Sequence, residues 1–409
     1  MRRLLLPLGL AATCLFSPLL VQALPAPSPN PTLTLDQAQA LAATRSYGLS
    51  AARHELDASD GALRQAGVLP NPTLNASIED TRSASRTTTA TLDLPIELGG
   101  KRAARLNAAE RGRALAAAEL RGAQAQLRAA VVQAFFGVLV AQERTRLGKD
   151  SAELAARGAD VVARRVAAGK VSPVDQTRAR VDLANAALEA AEAEAELRSA
   201  RHALAALWGD AEPLFDAVRG AVDALPARPP ASALAVELDS APALVASRLE
   251  TERRRALVDV ERSKQHPDLT VSVGAKRDNE LGRTQAIIGL AIPLPLFDRN
   301  QGATLEAARR ADKAGDEHQL ARIRLLTELQ QASGQLALAS ASAQTLQTRV
   351  LPAATQAHDA AVKGFEAGKF AFADVLDAQR ALLQARARHL NTLAAAHHAA
   401  AAIDRLLGR

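Results

Sequence analysis

The chain reads as a mainly α-helical, elongated protein with a small β portion, and three observations predict this. Its apolar content is Ala, Leu and Val with almost no aromatic residues, proline is missing from a very long central tract, and one unit of about 200 residues occurs twice.

Composition comes first. Of 409 residues, 48% are apolar but only 2% are aromatic. A large globular core draws on Phe, Tyr and Trp for buried area. Alanine instead favours long helices that approach closely. The formal charge is +6, with Arg2 and Arg3 at the extreme N-terminus. Elsewhere Lys and Arg alternate with Asp and Glu, and no basic block is interleaved with aromatics. That pattern describes solvated helix faces and argues against a nucleic-acid partner.

Residues 1–23 read as a secretory signal. Arg2 and Arg3 supply the positive start, an apolar stretch runs from Leu4 to Val21, and Val21-Gln22-Ala23 fits the small-x-small cleavage rule. A membrane anchor is the competing reading; Pro7, Pro18 and the early cleavage signal count against it. Cys14 is the only cysteine. It is either lipidated or lost with the signal, and Ala11-Ala12-Thr13 before it is a poor lipidation motif. If it is lost, disulfides and thiolate metal sites are excluded. No other apolar run reaches the ~18 residues of a spanning helix.

The duplication organises the rest. AAGKVSPVDQTRAR (167–180) and EAGKFAFADVLDAQ (366–379) share a frame, with Gly169 and Gly368, Lys170 and Lys369, and Asp175 and Asp374 each 199 residues apart. The units span 24–209 and 233–409, joined by a Pro-rich linker, 210–232. Each begins with a helix (35–67; 234–264). A strand pair follows (73–95; 269–293), in which Leu74, Ala76 and Ile78, or Val271, Val273 and Ala275, alternate with polar residues. Period two gives strands with one apolar and one polar face. Each unit closes with a long helical hairpin, turning near 169–173 and 368–372. A helix from 102 to 168 would measure roughly 100 Å. Breaks are expected at Gly148–Ser151 and at Leu351-Pro352.

Four strands with one apolar face have two solutions. They pack on the helices as soluble hairpins, or they face lipid, where every edge must be paired. Membrane barrels need about eight strands or more, so the second solution requires sharing between subunits: three chains would give twelve strands. With the helical hairpins as its body, such an assembly would be a conduit through an outer membrane.

The segments LPNPTLNASIED, TLDLPIELGGKRAARLNAAE, HPDLTVSV and IPLPLFDRNQGA closely resemble the heavy-metal (CzcC-type) branch of TolC-like outer-membrane efflux proteins, over nearly all of the mature chain. The resemblance implies a homotrimer with a twelve-stranded shared barrel and a coiled-coil periplasmic tunnel, in the outer membrane of a Gram-negative bacterium. It implies a periplasmic adaptor and an inner-membrane proton-driven pump of the RND class as partners. The implied function is export of heavy-metal cations (cobalt, zinc, cadmium or copper) from periplasm or cytoplasm to the outside. It also implies adaptor docking at the helical tips, Gly169-Lys170 and Gly368-Lys369. A periplasmic gate is implied six positions after each tip glycine, at Asp175 and Asp374, with a second acid three further on at Asp377. The first unit has Arg178 at that last position. A carboxylate ring would concentrate cations; the alternative is that these acids complement the helix dipole. Two departures stand out. Phe370 occupies a position that is basic in some relatives, and the strands lack a Trp/Tyr girdle.

Other signals carry no chemistry. Gly99-Gly100-Lys101-Arg102 lacks the first glycine and the Ser/Thr of a phosphate loop and reads as a strand-to-helix break. The eight histidines are scattered, with no i, i+4 pair. Trp208 reads as a packing residue. No catalytic residue, cofactor or metal site is expected, so the reading is a channel and not an enzyme. Rival readings are a periplasmic coiled-coil adaptor or scaffold and, among channels, drug efflux or type I secretion.

Overall fold

The computed structural model describes residues 32–221 and 223–409. The expected signal segment and Cys14 lie outside the described residues.

The chain opens with a two-residue strand, β1 (Leu33–Thr34), and helix α1 (Leu35–Arg45). Thr34 caps α1: the Gln37 N–H donates to its Oγ1 at 3.4 Å, and the Thr34 N–H donates to Gln37 Oε1 at 3.0 Å. This reciprocal box satisfies two orphan donors. The single helix expected over 35–67 is interrupted, because Ser46 is extended (ψ 122°) and α2 runs from Tyr47 to Ala66. Next come β2 (Thr73–Glu79), β3 (Thr87–Ile96), α3 (Lys101–Ala167) and α4 (Pro173–Ala206). The connecting segment holds β4 (Val218–Arg219) and the short α5 (Ala231–Leu234). A 3-10 turn (Ala235–Ser240) leads into α6 (Pro242–Ser263). The second half repeats the plan with β5 (Leu269–Asp278), β6 (Arg283–Ala291), α7 (Gln301–Thr345), α8 (Leu351–Glu366) and α9 (Phe372–Leu407).

α3 has 67 residues, so it measures about 100 Å. It runs unbroken through the expected interruption at Gly148. A lone glycine costs about 1 kcal/mol in a helix, too little to end one this long. Gly148 serves packing instead: a Cβ there would stand 3.1 Å from the Ala190 Cα of α4. The second unit does depart from α geometry at the corresponding height. Leu346–Val350 form a π turn, in which the Leu351 N–H bonds to the Leu346 carbonyl. Pro352 follows at once; its ring cannot sit against the carbonyl four residues back, and the wider turn relieves that contact. One exception to the expected lack of further apolar runs is α3, whose most apolar 18-residue stretch has mean hydropathy 1.3 and is 39% buried within the chain.

The strands form one antiparallel sheet in the order β2-β3-β5-β6. Its register places Leu74 beside Leu92, Leu92 beside Val273, and Val273 beside Ile288, one apolar row across all four strands. Those side chains are 73%, 49%, 57% and 80% exposed. The other face is polar, and there Asn75 Nδ2 donates to Asp93 Oδ2 at 2.6 Å. β6 stops at Ala291, two residues before Pro293, which cannot donate to a ladder.

Both strand-to-helix junctions need a left-handed residue. Gly99 and Gly100 have φ of 70° and 72°, and Asn300 has φ 56°. Gly99 has a second reason, since a Cβ there would meet the His266 side-chain atoms Cβ, Cγ and Nδ1 at 2.5–2.9 Å. Asp268 ties the two units together, accepting from Lys101 Nζ at 2.7 Å and from the Leu98 N–H at 3.1 Å. Beside it, Arg105 pairs with Glu97. That hydrogen bond holds the Glu97 carboxyl below its ordinary range. A depressed folded value stabilises above the unfolded one, near 4.3, and the gain is lost as pH falls through the folded value. Glu97→Gln is therefore expected to lower the thermal midpoint in detergent at pH 7, and the gap from wild type should narrow as pH drops below about 4.3. A gap independent of pH would show that the carboxylate is not what stabilises the junction.

Two cores sit at mid-height. One gathers Phe135, Val131, Leu204, Trp208, Phe215 and Val218; the other gathers Leu234, Leu238, Leu329, Leu336 and Ile403 among small residues. The segment 210–232 is more ordered than a plain linker: β4 pairs in parallel with β1. The Gln142 side chain extends that sheet, donating to the Val218 carbonyl at 3.1 Å and accepting its N–H at 2.7 Å. Trp208 is buried, and its indole N–H donates to Asp210 at 2.8 Å.

Candidate functional site

The two helical tips lie side by side at the end of the molecule away from the sheet. Each turns on a left-handed glycine, Gly169 (φ 67°) and Gly368 (φ 73°). A Cβ at either position would meet nothing within 4 Å, so backbone conformation alone calls for glycine. The following lysines close the helix ends, Lys170 N–H bonding to the Arg165 carbonyl at 2.9 Å and Lys369 N–H to the Gly364 carbonyl at 2.8 Å. Both lysine side chains are exposed. Return helix α4 starts with Ser172 as its cap, accepting the Val174 N–H at 3.2 Å, and Pro173 in the first turn. These are helix-start signals that sequence carries plainly.

The predicted gate acids are not equivalent. Asp374 Oδ2 accepts the Ala371 N–H at 2.9 Å, which commits it to capping α9. Asp175 stands 3.8 Å from Arg178 on its own helix. Asp377 is 78% exposed and lies 3.7 Å from Arg380. Arg380 in turn reaches across to α4, donating to Asp182 Oδ1 at 3.0 Å. Asp182 is the more enclosed partner, 15% exposed. The structure thus joins Asp377 to the other hairpin through Arg380 and leaves Asp175 and Asp374 with local partners.

Arg380 and Asp182 were not singled out by sequence reasoning. A signal existed: they lie 198 residues apart, almost the repeat offset, so they stand level on the two return helices. The same holds for Arg165 and Phe365. Arg165 donates to the Phe365 carbonyl at 3.4 Å and lies 4.1 Å over its ring.

A small core locks the hairpins beneath these polar contacts. Val162 and Ala179 of the first hairpin pack with Phe365, Phe372, Val375 and Leu376 of the second. The Phe365 and Phe372 rings meet at 5.5 Å between centroids. Phe370 lies against Gly364 and remains half exposed. Among the described residues, no three His, Cys, Asp or Glu side chains converge to hold a metal ion.

Comparison with known proteins places this architecture. The family model described as outer membrane efflux protein matches residues 38–210 and 234–409. The cobalt-zinc-cadmium resistance protein CzcC of Cupriavidus metallidurans is 56% identical over the full length of both chains. A membrane protein from Pseudomonas aeruginosa superposes with a TM-score of 0.80 at 18% identity, covering 91% of this chain and 92% of that one. The outer-membrane channel OprN superposes with a TM-score of 0.78 at 20% identity, covering 91% and 89%.

Proposed function

The chain belongs to the outer membrane efflux protein family and is an outer-membrane channel subunit, and from that premise we propose that it exports heavy-metal cations as a homotrimer. The observation that carries the assembly is the sheet. It has one continuous apolar face, and its outer strands β2 and β6 each have a free edge within the chain. In hydrocarbon an open edge is untenable. Three copies joined edge to edge close twelve strands and leave no edge, and the polar face then lines the pore.

The helices support the same assembly. α4 carries Val174, Val181 and Leu188 at seven-residue spacing, each more than half exposed. A heptad stripe of this kind seats a neighbouring helix, here from the next subunit. The tips then form a ring facing the periplasm, with Asp377, Arg380 and Asp182 as its polar fastening and Asp175 and Asp374 beside them. Gly169-Lys170 and Gly368-Lys369 are the docking points for a periplasmic adaptor, through which an inner-membrane pump feeds the channel. The cation cargo rests on similarity to a protein named for cobalt, zinc and cadmium resistance.

The mass of the protein extracted in detergent tests the assembly. The wild type is expected to run as a trimer and Val181→Asp/Leu188→Asp as smaller species, because two buried charges per interface oppose association. A monomeric wild type, or a trimer indifferent to both substitutions, would reject this packing.

A further inference from the structure

The apolar face of the sheet is too short to cross a membrane if it ends with the strands. Toward the hairpin turns, Ile78, Thr88, Arg277 and Thr284 stand side by side, and Arg277 marks the limit of the apolar surface. The next row inward is Ala76, Ala90, Ala275 and Ala286, and the one after it runs from Leu74 to Ile288. Each residue of a strand tilted by about 40° adds about 2.6 Å of height. From Ala286 to the end of β6 at Ala291 is then about 13 Å, against the ~25 Å apolar band of an outer-membrane barrel. That height is reached about ten residues from Ala286, at Leu296, beyond the last strand.

The chain past β6 continues the pattern. Ile288, Leu290, Ile292, Leu294 and Leu296 are every second residue, with Pro293 and Pro295 between the last three. The prolines end the hydrogen-bond ladder, but the apolar side chains go on. Leu294, Leu296 and Phe297 are 72%, 66% and 91% exposed, and contiguous apolar exposure of this kind marks an interaction surface. Hydrogen bonds fix the segment. The Leu296 N–H donates to the Leu294 carbonyl at 2.9 Å, Asp298 accepts the Asn300 N–H at 2.9 Å, and the Asn300 amide donates to the Glu261 carbonyl of α6 at 2.8 Å. The matching junction of the first unit is shorter. Pro95 and Gly100 are five residues apart, whereas Pro293 and Asn300 are seven apart. Gly100 and Asn300 are both left-handed and both precede a long helix, so the second junction carries two extra residues, and Phe297 lies in the lengthened stretch.

We propose that residues 292–297 are a membrane-embedded segment outside the barrel strands, seated in the phospholipid of the periplasm-facing leaflet. Leu294 and Leu296 complete the apolar band, and Phe297 is the interfacial anchor. This supplies the aromatic contact with the membrane that the strands themselves lack. The polar groups that follow suit the headgroup region. Arg299 is exposed and makes no ion pair among the described residues, its Nε donating to the Pro295 carbonyl at 3.3 Å. A guanidinium just beyond an apolar band is placed to meet lipid phosphate. The inference rests on the lipid-facing sheet of the function proposed above, whose apolar face this segment extends.

Tryptophan fluorescence of the full-length protein in phosphatidylcholine vesicles tests this, with bromine on the lipid acyl chains as the quencher. Trp208 is the chain's one tryptophan and is buried in a mid-height core, so the wild type gives an unquenched reference. Phe297→Trp is expected to lose most of its added emission in lipid brominated close to the headgroup, and less in lipid brominated near the chain ends. Leu290→Trp, on the apolar face of β6, should show the opposite order. Leu296→Trp should behave as Phe297→Trp does and gives a second reading if that variant folds poorly. Quenching of Leu290→Trp without quenching of Phe297→Trp or Leu296→Trp would overturn the anchor and keep the barrel. Shielding of Phe297→Trp from aqueous acrylamide in that case would assign the segment to a neighbouring subunit, which also overturns it. Quenching of Phe297→Trp alone would keep the anchor and remove the lipid-facing sheet, and quenching of neither would remove both.

Discussion

Ile288→Arg is expected to remove the protein from the outer-membrane fraction. Ile288 lies mid-strand on β6, is 80% exposed, and ends the apolar row that begins at Leu74. A basic side chain on the lipid face of a barrel costs roughly 2–4 kcal/mol at the bilayer midplane. In a shared barrel that penalty recurs in every subunit, so it is multiplied threefold. Backbone hydrogen bonds and the helical body are untouched, so helical content should persist while insertion fails. Ser272→Arg supplies the contrast. Ser272 pairs with Asp93 and Gly289 on the polar face of the same sheet, and an arginine there should be accepted. Cell fractionation followed by circular dichroism reads both outcomes. If Ile288→Arg reaches the outer membrane as well as wild type does, the apolar face does not meet lipid and the barrel is wrong.

Phe372→Ala is expected to open the tip. Phe372 is 8% exposed and packs on Phe365, Val162 and Gly158, joining the second hairpin to the first. Removing a buried phenylalanine typically costs about 3–5 kcal/mol. That cost falls on the contact between hairpins and not on the mid-height cores, so global unfolding should change little. Applied to a closed-to-open equilibrium, it corresponds to a rise of a hundredfold or more in the open population. Arg380→Ala removes only a partly exposed ion pair, worth at most about 1 kcal/mol, and should have a smaller effect in the same direction. Single-channel recording on wild type and both variants checks the order. Equal conductance in all three would mean that these contacts do not hold the tip closed.

Much of this was legible in the chain because the determinants are local. The alternation in Thr73–Glu79 and Leu269–Asp278 is a period-two signal, and Gly169 and Gly368 are turn signals that need no partner. The 199-residue offset exposed the duplication before any element was assigned. What stayed hidden depends on what a side chain meets in space. Gly148 looked like a break but is a point of close contact with α4, and Ser46 splits a helix in which no breaker stands out. The site divides in the same way. Asp374 follows the tip as the resemblance implies, yet its carboxylate goes to a helix cap. Arg380 and Asp182 have no local motif and become visible only once the two units are laid over each other.

The π turn at Leu346–Val350 gives the two hairpins different mechanics. The first hairpin has a continuous strut in α3, pinned to α4 where Gly148 meets Ala190. The second has a joint at the same height, with only the 16 residues of α8 below it. Those residues form a lever arm about 24 Å long, so a tilt of roughly 10° at the joint swings the tip by about 4 Å. A displacement of that size exceeds the separation across an ion pair. Only the outgoing helix is jointed, because α9 runs unbroken from Phe372 to Leu407 past the same height, so a tilt of α8 has to be followed by bending of α9 beside it.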